Sequence, residues 1–256
     1  MLQRSTRQFL PSIAYRKLIM SRIPQNLQAV HAAIAQAAQA ASRHPDSIQL
    51  LAVSKTFGAD AVLEAIHAGQ AAFGENYLQE ALDKMAAVAA ALLPERLPSP
   101  EWHFIGPIQS NKTRPIAEHF DWVHTVEREK IASRLSGQRP QQLAPLNICL
   151  QVNISGEASK SGVAPADVAA LAQAVAAMPR LRLRGLMAIP EPTADFELQR
   201  QSFRRLRQLF ESLNAQGCTL DTLSMGMSAD MAAAVAEGAT IVRVGSAIFG
   251  QRNYEK

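Results

Sequence analysis

The chain has 256 residues, 48% of them hydrophobic and 5% aromatic, which suits one large domain or two small ones cored by Ala, Val, Leu and Ile. Its formal charge of +4 sits in residues 1–19, where Arg4, Arg7, Arg16 and Lys17 have no acidic neighbour, leaving 22 basic and 22 acidic residues in the remainder. A neutral body with few aromatics offers nucleic acid neither a basic face nor a stacking platform. The alanine-rich apolar stretch at 86–93 is too short to cross a bilayer.

In chain order, the basic, acid-free leader has transit-peptide chemistry. Met20 reads better as a start, because "MSRIPQNLQAVHAAIAQAA" opens an amphipathic helix after Pro24. Residues 1–19 are therefore expected outside the fold and 20–256 inside it. Strands are predicted at 49–54, 71–75, 102–106, 121–126, 147–153, 182–189, 222–225 and 240–246, with helical patterns between consecutive members. One such helix ends at Gly69, and another runs from Pro165 to Pro179. Eight strands alternating with helices over roughly 250 residues predict an α/β, single-domain (β/α)8 TIM barrel, with a doubly wound open sheet as the alternative. Cys149 and Cys218 lack metal-ligand spacing and read as reduced thiols of a cytosolic protein.

A barrel should gather function just past the strand C-termini. Lys55, Glu75, Asn76, Gly106, Thr125, Asn153, Met187, "SMGMS" and "GSAIFG" stand there, whereas the opposite ends supply helix-capping residues such as Gly69, Pro179 and Gly238. Lys55 ends the apolar run "LLAVS", where its amine either snorkels to solvent or attacks a carbonyl. Ser224 and Gly226 follow the seventh strand, with Ser228 expected to cap the next helix and Asp230 in its first turn; Gly245 and Ser246 follow the eighth. Together they form a two-piece phosphate cup. Arg243, the odd residue of "TIVRVGS", needs an acceptor, either a ligand's ring nitrogen or a carboxylate such as Glu75. Asn111, Lys112 and Arg114 read as a polar turn that caps a helix, and His103, His119 and His124 as structural.

The segments "LLAVSKT", "FGENYLQEALDK", "WHFIGPIQSNK", "LQVNISGEASKSG", "LRGLMAIP" and "LSMGMSADMAAAVAEGATIVRVGSAIFG" resemble the pyridoxal 5'-phosphate homeostasis proteins, a family similar to the N-terminal barrel of alanine racemase (fold-type III). The resemblance implies that Lys55 forms an imine with the aldehyde of pyridoxal 5'-phosphate (PLP). It places Asn76 near the ring hydroxyl, Arg243 at the pyridine nitrogen, and Ser224, Met225, Gly226, Gly245 and Ser246 around the phosphate. Lys160, in the loop at 153–162, matches a lysine linked to secondary cofactor binding.

An arginine at the ring nitrogen weakens the ring as an electron sink, and the only tyrosines are Tyr15, Tyr77 and Tyr254, without the second domain that racemases use to position one. The implied function is a non-catalytic, monomeric cytoplasmic carrier that buffers PLP and delivers it to apo-enzymes. The alternatives are a single-domain racemase and a Schiff-base aldolase.

Overall fold

The computed structural model describes residues 22–156 and 161–251; the leader at 1–19, Lys160, Tyr15 and Tyr254 lie outside the described residues. Eight parallel strands close in sequence order: β1 Gln49–Val53, β2 Ala72–Glu75, β3 Glu101–Phe104, β4 Trp122–Val126, β5 Leu146–Gln151, β6 Leu181–Met187, β7 Thr222–Ser224 and β8 Ile241–Val244. Pairing of β1 with β8, with Leu51 opposite Arg243, makes the sheet a barrel and excludes the doubly wound alternative. Parallel strands with a helix on every crossover are buried on both faces, which is why these segments read as apolar runs.

The helices are α1 Ile23–Ala40, α2 Ala59–His67, α3 Leu78–Leu92, α4 Thr113–His119, α5 Glu129–Gln138, α6 Val168–Ala176, α7 Phe196–Ala215, α8 Met231–Ala236 and α9 Ser246–Phe249. In α1, Pro24 occupies the first turn, where no N–H is needed, and Ile23, Leu27, Val30, Ile34 and Ala38 fall on one buried stripe. Asn26 of α1 donates to the Ile248 carbonyl at 2.8 Å. Helix α1 thereby covers the side of the barrel that four-residue α9 is too short to cover. In α7, the Asp195 side chain accepts from the N–H groups of Glu197 and Leu198, and Arg200, Arg204 and Arg207 converge on buried Glu237. Among the described residues no helix is long and apolar enough to cross a membrane.

Two local expectations are corrected. Ser228 does not cap α8: residues 228–230 form a turn, and the helix starts at Met231 with Asp230 as its N-cap residue. The Asp230 carboxylate instead accepts from the Met227 N–H at 2.6 Å, so it tightens the turn. Asn111, Lys112 and Arg114 supply no side-chain cap either; a 3-10 turn at Ser110–Lys112 leads into α4, and the Thr113 hydroxyl donates to the Ser110 carbonyl.

Alternation along the strands separates two buried layers. Phe73, Trp102, Phe104, Val123, Ile148, Leu186 and Leu223 face the helices. Leu51, Ala72 and Ile241, and separately Trp122, Cys149 and Met187, pack inside the barrel. The interior floor is polar: Glu101 accepts from Trp122 Nε1 at 2.8 Å and from Gln49 Nε2 at 3.2 Å. Arg184 stacks on Trp122 at 4.6 Å and bonds to Asp221 and Asn147.

Candidate functional site

Lys55 follows β1 on the parity of Leu51 and Val53 and is half-buried at the C-terminal end of the barrel. The next residue, Thr56, has φ +70°, a left-handed conformation that a β-branched residue adopts only when its surroundings impose it. Here they do. The Thr56 N–H donates to Glu80 Oε1 at 2.6 Å, and the Phe57 N–H to the Ser54 carbonyl. Lys84 of α3 donates to that same Ser54 carbonyl at 2.8 Å, to Glu80 at 3.0 Å and to Glu75 at 2.6 Å. Phe57 also packs on Phe249 of α9, with ring centroids 5.2 Å apart. The turn carrying Lys55 is thus pinned from below by a buried ion cluster and sideways by the segment after β8.

Glu75 belongs to that cluster and not to the mouth. On β2 the interior positions are Ala72, Gly74 and Asn76, so Glu75 points into the helix layer, where the Ser54 hydroxyl and Lys84 bond to it. Burial pushes its pKa up while Lys84 pulls it back. It is therefore not the partner of Arg243. Asn76 does face the mouth, and its Oδ1 is a buried acceptor without a hydrogen-bond partner among the described residues.

Arg243 lies inside the barrel, 5% exposed. Nη1 donates to the Ser224 carbonyl at 2.7 Å and to Ser224 Oγ at 2.8 Å, and Nη2 to the Ala188 carbonyl at 3.0 Å. All three acceptors are neutral. Desolvation lowers the arginine's pKa to about 10, so it keeps its charge at neutral pH.

After β7 and β8 the residues expected to form the cup divide into two groups. Gly226 has φ +91°, and a Cβ there would sit 2.5 Å from that of Ala234, so only glycine fits. A Cβ on Gly245 would come within 3.1 Å of the Val53 carbonyl, which brings β8 tightly against β1. The N–H groups of Gly226, Gly245, Ser246 and Ala247 bond to no described residue, leaving donors for an anion. Ser224 is wholly buried between Arg243 and His124, with its hydroxyl below the cup. Met225 is also wholly buried, in the layer toward the helices, and its N–H is spent on the Ile241 carbonyl. Neither side chain opens onto the cup.

Beside Asn76 a cavity of about 730 Å³ extends along the rim, lined in part by Tyr77, Ile105, Lys112, Gln151 and Ile189. Tyr77 is 53% exposed. His119 is exposed and, among the described residues, bonds only to the Pro115 carbonyl. His103 and His124, in contrast, meet inside the barrel at 2.9 Å. The sequence carried a signal for that meeting: both occupy interior positions of neighbouring strands, alternating with Trp102, Phe104 and Val123.

The fold and site define an eight-stranded parallel barrel with a lysine just past β1, an arginine inside β8 and backbone N–H groups without described partners after β7 and β8. The chain belongs to the family described as alanine racemase, N-terminal domain, whose model matches residues 25–253. Among its relatives is the pyridoxal phosphate homeostasis protein of Pseudomonas aeruginosa, 63% identical over 235 residues, or 92% of this chain and 98% of the relative. The protein of the same name from Escherichia coli is 52% identical over 237 residues, covering 93% and 100%. PipY of Synechococcus elongatus, solved with PLP bound, superposes with TM-score 0.75 at 36% identity, over 89% of this chain and 100% of PipY. Alanine racemase of Corynebacterium glutamicum shares the fold, with TM-score 0.64 at 17% identity over 88% of this chain and 62% of its own.

Proposed function

We propose that the chain binds PLP through Lys55 and serves cytoplasmic PLP homeostasis as a monomeric carrier, buffering the cofactor and delivering it to apo-enzymes without turning over a substrate. The observation that carries this reading is the joint placement of a half-buried lysine held on a strained, pinned turn and a buried arginine with only neutral partners on the adjacent strand. The residues fit the group. Asn76 Oδ1 lacks a donor, as expected of an acceptor meant for a ligand hydroxyl, and the free N–H groups around Gly226 and Ser246 suit a phosphate.

When bound, the cofactor supplies an aldehyde that condenses with a primary amine, losing one water. Lys55 supplies that amine, and its turn keeps the amine at the mouth. Arg243 presents a permanent cation, which disfavours a second positive charge on a ring nitrogen beside it and so withholds the proton that carbanion chemistry exploits. Tyr77, the tyrosine at the rim, makes no hydrogen bond to a described residue, which gives little support to a proton-moving role. The names of the relatives and the PLP-bound PipY structure support the same reading.

The test adds L- and D-alanine to the loaded protein and, separately, an apo-enzyme behind a trap for free PLP. The carrier reading expects no stereoinversion above the free-cofactor rate, and apo-enzyme activation faster than release into the trap. Lys55-dependent stereoinversion would overturn it in favour of a racemase.

A further inference from the structure

Below the mouth, a line of hydrogen bonds runs through the barrel interior. Arg243 Nη1 lies 2.8 Å from Ser224 Oγ, Ser224 Oγ 2.8 Å from His124 Nδ1, His124 Nε2 2.9 Å from His103 Nδ1, and His103 Nε2 2.9 Å from Glu101 Oε2. The direction of every link follows from its two ends. Glu101 is ionised, its pKa drawn down to about 2 chiefly by the His103 hydrogen bond, and a carboxylate only accepts. His103 Nε2 therefore carries hydrogen. Both imidazoles are wholly buried, and desolvation lowers their pKa, His124's well below 6.5.

A neutral ring has one N–H, so His103 Nδ1 accepts and His124 Nε2 donates. His124 Nδ1 must then accept, and the Ser224 hydroxyl donates to it. That commitment turns the lone pairs of Ser224 Oγ toward Arg243. Every proton in the line points from the mouth to the floor.

We propose that this one-way chain is a positioning device for Arg243, with His124 and His103 as positioning residues that fix the guanidinium toward the ligand ring. The chain also links the arginine to a counter-charge, Glu101, at the opposite end of the barrel. Three observations favour a device over incidental packing. Arg243 has no carboxylate hydrogen-bonded to it, so its orientation rests on Ser224 and the Ala188 carbonyl. While His124 takes the Ser224 proton, both lone pairs of Ser224 Oγ are left for Arg243; the other tautomer of His124 would present an N–H, occupy one of those lone pairs and leave the hydroxyl proton to turn elsewhere. The floor end is itself braced, since Trp122 both donates to Glu101 and stacks on His103 at 5.3 Å with an interplanar angle of 5°. Ser224 thereby moves from the phosphate cup to the support of Arg243.

The inference rests on the reading that Arg243 faces bound PLP, and two separate measurements distinguish failure of one from failure of the other. In the cofactor-free full chain, imidazole ¹⁵N shifts should show both histidines as Nε2–H tautomers that stay neutral from pH 8 to pH 5. The titratable and charged groups facing them are Glu101, Asp121, each other and Arg243. In the loaded protein, His124→Leu should weaken PLP binding about tenfold and move its absorbance maximum, while His124→Asn, which keeps an acceptor for Ser224, should stay within about threefold.

Should His124→Leu not fold, Ser224→Ala carries the same expectation of about tenfold. An Nδ1–H tautomer, a ring that titrates in this range, or unchanged affinity and spectrum in a folded His124→Leu (or Ser224→Ala) protein would overturn the proposal. Borohydride labelling elsewhere than Lys55 in the unmodified protein would instead overturn the cofactor reading and leave the tautomer measurement to judge the chain.

Discussion

Two buried cations stand on either side of the β1 wall, and they are satisfied in opposite ways. Lys84, outside the barrel, touches two carboxylates and a carbonyl. Arg243, inside it, touches two carbonyls and a hydroxyl. Taking a charge out of water costs several kcal/mol, and a direct ion pair returns most of that. Lys84 is offset locally, its three donors all used, and nothing is left over for a ligand. Arg243 has no carboxylate hydrogen-bonded to it, Asp230 attracting it only through space, and its Nε–H and one Nη2–H bond to no described residue. A fully paired cation holds structure, while an incompletely paired one at a mouth is kept for a guest. Glu75 is held by Lys84 and Ser54 through Oε1 alone, and its buried Oε2, like Asn76 Oδ1, has no hydrogen-bond partner among the described residues.

The contrast can be broken most forcefully at Lys84. Lys84→Met strands the carboxylate of Glu75 and should cost about 3–5 kcal/mol, a fall in Tm of roughly 6–20 °C for a domain of this size, measured by thermal unfolding. Arg243→Met removes hydrogen bonds to neutral partners only. A smaller loss of about 1–3 kcal/mol is expected, with a large change in the bound cofactor's affinity and spectrum; equal stability losses at the two sites would erase the distinction.

Acid probes the chain beneath Arg243. His103 and His124 have folded pKa values depressed below the unfolded value of about 6.5, so the unfolded state binds more protons as pH falls. The stability that depends on their neutrality is present above about 6.5 and is lost progressively as pH falls below it. Urea unfolding of wild type against His124→Asn isolates one histidine's share from the opposing carboxylates Glu75, Asp121 and Asp230. The smallest effect concerns the strained turn: Thr56→Gly relieves φ +70° and should change stability by no more than about 1 kcal/mol, while loosening Lys55 enough to slow its reaction with PLP. An unchanged rate would show that the strain does not position the amine.

Much of the fold was legible because burial on both strand faces writes continuous apolar runs punctuated by helix signals, and the predicted strands overlap all eight observed ones. Strand ends were overrun by a few residues, as at 182–189 against Leu181–Met187, since apolar residues also line the loops that follow. At the candidate site, the places of Lys55, Asn76, Gly226, Arg243, Gly245 and Ser246 at or just inside the C-terminal end of the barrel followed from their positions at the strand ends. Glu75 was misplaced because adjacency to Asn76 on the chain says nothing of face; the parity of Gly74 was the better guide. Ser228 looked like an N-cap because serine favours that role, but Asp230 took the turn. The Lys84 cluster escaped because it joins the ends of β1 and β2 to the helix that follows them, and the His103–His124 pair because its signal, interior parity on neighbouring strands, shows only once the pairing register of β3 and β4 is known.

The most direct test of the account is the absorbance spectrum of the purified, PLP-loaded protein before and after borohydride, with peptide mapping of the reduced adduct. The account expects an imine band that reduction removes, with the pyridoxyl group on Lys55 and no band in Lys55→Ala. A band that survives in Lys55→Ala, or an adduct mapped to another lysine in the unmodified protein, would contradict it.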